Sequence, residues 1–438
     1  VAAPSKRIPE PTPQTSLRAL RAIIRGRSVF PGLQVFHQET GSIFQINAPS
    51  FHPVMMVGPD ACRFVLINAR DDLRWRMEGD SVTTLLIHGV LVEDGESHDE
   101  IRRNLNPALH KRMLGGYVDA MVRRTDQVAA GWVDDCPVDM LVEMRKVALL
   151  ILMDALFEVD FTPELRRLWW SVLYLIQYIS PGLWLFWRGA PRPGYRQARA
   201  QMDQYLFRII QLRRDQLKHE SDYAGTDMLS VLIHAGMPDD LIRDQLMTML
   251  IAGHDTSTAS LAWSLYLLGA HPDAQARARA EIDAVLGDTP PTAETYPQLT
   301  YLEQVMNETL RLYPPIHLGS RLAARDLEFD GYSIAKGTRV LYSIYLTQRN
   351  PEYWPEPDRF DPERFAPHIK HEPYNFLPFG GGPRNCIGMA FAQVEMRVVL
   401  ARLLQRFTLE RRFKDVHLHM GATLEPRPGV LMQPIRRP

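Results

Sequence analysis

Ten residues near the C-terminal end constrain this chain most: Phe379-Gly380-Gly381-Gly382-Pro383-Arg384-Asn385-Cys386-Ile387-Gly388. Three successive glycines and a proline do not sit inside a helix. From Met389 to Phe407 apolar residues return at helical spacing. The spacing predicts a tight loop that opens a helix, with Cys386 at the junction. Unpaired N–H groups and the positive end of a helix dipole meet there, and both lower a thiol pKa toward the thiolate. Glycines let the backbone approach a large flat ligand without side-chain collision. A lone cysteine beside a glycine turn is ordinarily an inert, buried residue. This loop reads as a cradle for a thiolate whose partner is not in the chain.

The decapeptide resembles the haem-binding loop of the cytochromes P450, Phe-x-x-Gly-x-Arg-x-Cys-x-Gly. Phe379, Gly382, Arg384, Cys386 and Gly388 fill all five fixed positions. The resemblance implies that Cys386 is the axial metal ligand of a haem b (iron protoporphyrin IX), and that Arg384 contacts a haem propionate. An axial thiolate pushes electron density onto the iron and favours O–O cleavage. The fold implied is mainly α with a smaller β region, the cytochrome P450 fold.

Composition agrees with a globular enzyme. The chain has 438 residues, 45% of them hydrophobic, and a net charge of -1. That balance excludes the basic surface of a nucleic-acid binder. Three cysteines, Cys62, Cys136 and Cys386, make no disulfide framework. Val1 to Thr15 is proline-rich without an apolar core, and Leu168 to Trp187 is interrupted by Gln177, Ser180, Pro181 and Gly182. A soluble, cytoplasmic protein is expected, membrane-anchored only if an N-terminal segment is missing. One haem-thiolate catalytic domain over 1–438 is expected, β-rich near 40–70 and 316–345, with no fused reductase.

Ser42–Ile46 and Val54–Val57 read as a strand pair, and Asp60 starts a helix running to about Asn68. Arg74 to Val92 has no clean period. It is an ordinary surface loop or, by resemblance, the roof of the haem pocket, with Leu85 and Ile87 toward substrate. His98 and Arg102 are four apart, on one helical face. They suit an anionic ligand or a surface carboxylate, and by resemblance they are a propionate pair. Val138–Phe157 reads as a buried helix. Pro163–Ile179 and Gly194–Glu220 flank an apolar loop containing Leu183. By resemblance this is a mobile lid, and its aromatic richness suits a hydrophobic substrate. The same side chains would also serve simply to pack the lid.

Pro238 to about Gly269 is the longest helical pattern, interrupted by Gly253-His254-Asp255-Thr256-Ser257-Thr258. Polar groups inside an apolar helix are costly unless satisfied or used. Gly253 leaves room for a flat group or dioxygen to approach the backbone. The segment resembles the family's oxygen-binding motif, which implies catalytic roles for Thr256, organising dioxygen and a water, and for Asp255, renewing protons. Glu308 and Arg311 are three apart in Tyr301–Tyr313. With the following Pro314-Pro315 they resemble the family's Glu-x-x-Arg helix, and Arg364 matches the third member of that structural charge network. Pro315–Ser320 reads as extended, with Ile316 and Leu318 toward the pocket. Arg321 matches a further propionate contact. Phe407–Pro438 alternates as short strands, and its turn at Thr423 is placed to reach the pocket.

Together these stretches point to a haem-thiolate monooxygenase. It would hydroxylate or epoxidise a hydrophobic small molecule with dioxygen and a separate electron donor, a ferredoxin, flavodoxin or reductase. The apolar lid suggests a fatty acid. Terpenoid or polyketide oxidation, a peroxide-driven hydroxylase and a non-catalytic haem sensor or carrier are the alternatives.

Overall fold

Apolar residues surround the Asp239–Ala270 segment on all sides, and such a helix must be buried. In the computed structural model, which describes residues 6–47, 51–134, 136–182, 191–220, 223 and 225–437, it runs 32 residues through the protein. Pro238, the predicted start, sits at its N-cap, so the helix begins one position later than expected, at Asp239. Pro272, at the first turn of the next helix, prevents continuation.

The helix packs most extensively on Met140–Phe157, itself buried nearly all round. A Cβ on Gly253 would lie 2.5 Å from Leu152 Cδ1. The missing side chain therefore lets these two helices close. That is a different use from the ligand approach expected of it, although Gly253 remains half-open on another side. Helices Lys111–Ala129, Thr300–Leu312 and Met389–Arg406 complete the surrounding bundle.

A five-stranded sheet lies beside the bundle, in the order Ile43–Gln45, Val54–Met56, Arg339–Ser343, Leu318–Ala323, Leu73–Arg74. Only the pairing of Val54–Met56 with Arg339–Ser343 is parallel. Gly319 stands opposite Tyr342, whose ring occupies the space a Cβ would need. The expected strands at 42–46 and 54–57 form this sheet's edge.

The expected helix at 60–68 is an α-turn, Pro59–Arg63, followed by a π-turn, Phe64–Asn68. Val138–Asp139 is a short strand against Leu431–Met432 before its helix begins. The roof segment contains a helix, Ser81–Leu86. Among the described residues, the helices Phe30–Thr40, Lys111–Ala129, Met228–His234 and Ile344–Thr347 also had no counterpart in the sequence reading. Gly115-Gly116 breaks the pattern of the longest of these near its start.

Candidate functional site

The glycine loop folds back on itself. The Cys386 N–H donates to the Phe379 carbonyl at 2.8 Å, and the Asn385 N–H to the Gly382 carbonyl at 3.0 Å. Gly382 has φ +69°, and a Cβ there would press on the Leu66 carbonyl and on Ile67. Gly388 then caps the Met389–Arg406 helix. Burial pushes the Cys386 thiol up, outweighing the Gly388 N–H and the Arg102 charge that pull it down. The loop alone thus does not lower the thiol pKa as the sequence suggested; a bound metal must complete the task. Crowded as it is, Cys386 still presents an open surface. Both statements hold together for a side chain facing an internal hollow.

Three arginines, Arg102, Arg321 and Arg384, lie near this loop together with the buried His98. Arg102 donates to the Asn385 carbonyl at 2.9 Å and to Asn385 Oδ1 at 2.8 Å, clamping the loop from the Gly95–Leu105 helix. Arg384 bonds Asp94 Oδ1 at 2.8 Å and the Glu93 carbonyl. His98 is buried, with Nδ1 2.8 Å from Asp99 Oδ1. Burial, and then the Arg384 and Arg102 charges, hold its pKa down against Asp99. Arg384 is likewise lowered, chiefly by burial, with Arg321 and Arg102 adding to it. Arg321 is only 6% exposed. It bonds the Ser320 carbonyl and lies over the Trp75 and Tyr342 rings at 5.3 and 5.7 Å. Among the described residues no carboxylate pairs with it. A buried, unpaired guanidinium is costly without an anion, so this cluster fits the carboxylates of a haem. Among the described residues no cluster of three His, Cys, Asp or Glu side chains could hold a metal ion.

On the central helix, Ala252, Gly253 and Thr256 are half-open while their neighbours are buried. Thr256 Oγ1 donates to the Ala252 carbonyl at 2.7 Å. Asp255 points away into the protein. Its Oδ2 accepts from Thr423 Oγ1 at 2.7 Å, and its Oδ1 lies 3.9 Å from Arg145 without a hydrogen bond. Arg145 is ion-paired with Glu425, and Glu425 with the half-exposed Arg427 at 3.0 Å. Burial first, and the Glu425 charge second, push the Asp255 carboxyl above its usual range. Ser257 bonds Glu395 Oε2 at 2.5 Å, joining this helix to the one that follows Cys386. Burial pushes the Glu395 carboxyl up to about 8.

Glu308 and Arg311 are fully buried and paired through two bonds of 2.6 and 2.8 Å. Arg311 also donates to the carbonyls of Gln348, Pro357 and Arg359. Arg364 stands 3.5 Å from Glu308. Gln348 was not singled out from sequence, yet it ties this hub to the cysteine loop. Its Nε2 donates to the Leu310 and Arg311 carbonyls, and its Oε1 accepts the Leu377 N–H at 2.7 Å. Arg145 and Glu425 were missed too, since they stand far apart in sequence and carry no motif, and Asn385, although inside the cysteine motif, fills one of its variable positions.

The expected pocket residues divide. Leu85 is wholly buried in the main core, and Thr423 is buried and engaged by Asp255, so neither presents surface to a ligand. Leu318 is half-buried against the cluster of Phe30, Phe44 and Met55. Ile316 is exposed, and Ile87 is half-buried with φ +53°, a strained value for a β-branched residue. Leu183 lies outside the described residues. On the lid, Trp170 and Tyr174 face outward. Arg192 latches lid to roof, bonding Ser81 Oγ at 2.6 Å and stacking on Tyr178.

Comparison with known proteins agrees with this geometry. The family model described as Cytochrome P450 matches residues 10–435. The chain is 33% identical over 404 residues to a putative cytochrome P450 139 of Mycobacterium tuberculosis, covering 86% of this chain and 91% of that one. It is 32% identical over 386 residues to cyclooctatin synthase of Streptomyces melanosporofaciens, covering 84% and 82%. The structure superposes on retinoic acid-bound cyanobacterial CYP120A1 with a TM-score of 0.85 and 27% identity, covering 99% of this chain and 100% of that one.

Proposed function

This chain belongs to the cytochrome P450 family of haem-binding monooxygenases, and we propose that it oxidises a long apolar molecule at a C–H or C=C bond. The carrying observation is the open Cys386 thiol beside three arginines, Arg102, Arg321 and Arg384, of which Arg321 has no carboxylate partner among the described residues. Cys386 supplies the axial thiolate. His98, Arg102, Arg321 and Arg384 hold the carboxylates of a non-covalently bound protoporphyrin. The bound haem supplies dioxygen activation and oxygen transfer to the substrate.

The polypeptide's task at the reacting face is to place protons and exclude stray water. The Thr256 hydroxyl, held by the Ala252 carbonyl, keeps its lone pairs free toward the half-open side of the helix. Burial raises the Asp255 carboxyl to about 6, and Oδ1, which has no hydrogen-bond partner, is the oxygen that takes up the proton. Glu425 raises its affinity for that proton, and Arg427, Glu425 and Arg145 lead from the surface to it. Electrons come from a separate ferredoxin, flavodoxin or reductase.

For the substrate, the apolar roof and lid favour a fatty acid or similar lipid. A compact terpenoid is the second reading, favoured by the likeness to cyclooctatin synthase and to the retinoic acid-bound structure. Two measurements test the proposal. The reduced carbonyl complex of the loaded protein should show the red-shifted band of thiolate ligation, and Cys386→Ser should lose it. Dioxygen-dependent product formation with a surrogate electron donor then separates an enzyme from a haem carrier. A band retained in Cys386→Ser would reject the ligand assignment.

A further inference from the structure

The Pro13–Gly26 helix divides into three faces. Thr15 and Ala19 are buried, and Ile23 sits over Gly32, so one face packs on the Phe30–Thr40 helix. The Thr15 hydroxyl bonds Glu39 at 2.6 Å and Arg18 pairs with the same carboxylate, which fixes the helix against the body. The second face carries Leu17, Leu20 and Ile24 at i, i+3 and i+7. They are 49%, 52% and 68% exposed, the last among the most exposed large apolar side chains described. Packing of the helix thus leaves its strongest apolar stripe turned to solvent. The third face carries Arg18, Arg21 and Arg25, with Arg27 just past the end. The helix has no acidic residue, and among the described residues no carboxylate pairs with Arg21, Arg25 or Arg27.

We propose that this helix docks the protein on an anionic lipid surface, with Leu17, Leu20 and Ile24 in the acyl boundary and Arg21, Arg25 and Arg27 at the headgroups. An exposed apolar stripe bordered by unpaired cations matches the layered chemistry of a bilayer surface, apolar below and negative above. A protein partner could cover the apolar stripe, but the uninterrupted arginine flank calls for a surface dense in negative charge. Three apolar side chains and three arginines give reversible, salt-sensitive attachment, far from the hold of a spanning helix. No described helix is long and apolar enough to cross a membrane. Docking through this helix lays it along the lipid surface, and would bring the enzyme to the phase where apolar substrates concentrate.

The test is co-sedimentation of the haem-loaded full chain with phosphatidylcholine vesicles, with and without phosphatidylglycerol. Wild-type protein should sediment with the phosphatidylglycerol vesicles and be released by high salt. Leu20→Asp/Ile24→Asp and Arg21→Glu/Arg25→Glu should each weaken binding at least roughly tenfold. All four positions are exposed, so melting and the carbonyl spectrum should not change. Equal binding by the Leu20→Asp/Ile24→Asp protein, or no wild-type binding to either vesicle, overturns the proposal. A concentration-dependent dimer abolished by the same pair would also overturn it, giving the stripe to a second copy of the chain.

Discussion

At the scale of single residues, two buried carboxyls carry pH-dependent consequences. Glu395 is raised to about 8 by burial, so in the folded protein it keeps its proton at neutral pH. A carboxyl with a raised folded pKa binds its proton more tightly there than in the unfolded chain. Its contribution is full below about pH 4 and is lost progressively as pH rises toward 8. Glu395→Gln, still able to bond Ser257, should remove that loss. Its melting temperature should vary less between acid and mildly alkaline buffer, with a gain on the order of 5 kcal/mol above about pH 8. Parallel melting curves for the two proteins across that range would refute the assignment. Asp255 is raised for a different reason: Glu425 adds its charge to the cost of burial. Arg145, Arg427, Thr423 and His254 are the other polar groups around it. Glu425→Gln should let Arg145 turn to Asp255 and lower its proton affinity. Product formed per reducing equivalent should then fall away at lower pH than in wild type. An unshifted profile would take this pair out of proton supply.

Among the elements, the Thr300–Leu312 helix matters most for the ligand loop. Glu308→Ala should leave Arg311 charged and buried, at a cost of about 3–5 kcal/mol, and yield little haem-loaded protein. Gln348→Ala should act through the loop instead. It frees the Leu377 N–H and two carbonyls at about 1–3 kcal/mol per orphaned group. Haem should dissociate faster from this variant while the Glu308–Arg311 pair stays intact. Unchanged haem retention would show that Leu377 is held by other means. The contrast explains what was legible beforehand. Glu308 and Arg311 sit three apart on one helix, a spacing that can be read from sequence. Gln348 works through backbone groups of distant segments, and no side-chain pattern announces that. Thr423 shows the same limit: sequence placed its turn beside the pocket, while the bond of its hydroxyl to Asp255, 168 positions away, has no signature in sequence. The central helix was legible because nothing but burial explains apolar residues on every face. The Lys111–Ala129 helix was hidden by charged residues and two glycines.

For the whole molecule, the substrate sets the sharpest test. A linear channel should tighten binding of saturated fatty acids by roughly fourfold per added carbon until it is full. Dissociation constants from the spin shift of the haem would show such a ladder. A flat series beside tight binding of a polycyclic terpenoid would favour the second reading and leave the monooxygenase assignment in place. The two sides of the haem site also differ in what they need. Each charge of the Glu308–Arg311 pair finds a partner, in the pair itself and in backbone carbonyls, although Arg364 Nε beside it does not; that pair is complete on its own. The cationic wall is not, because Arg321 finds only aromatic faces and its own strand. A haem carboxylate beside Arg321 would supply the charge partner that its own strand and its aromatic neighbours do not. Loading with haem should then stabilise the fold by mass action.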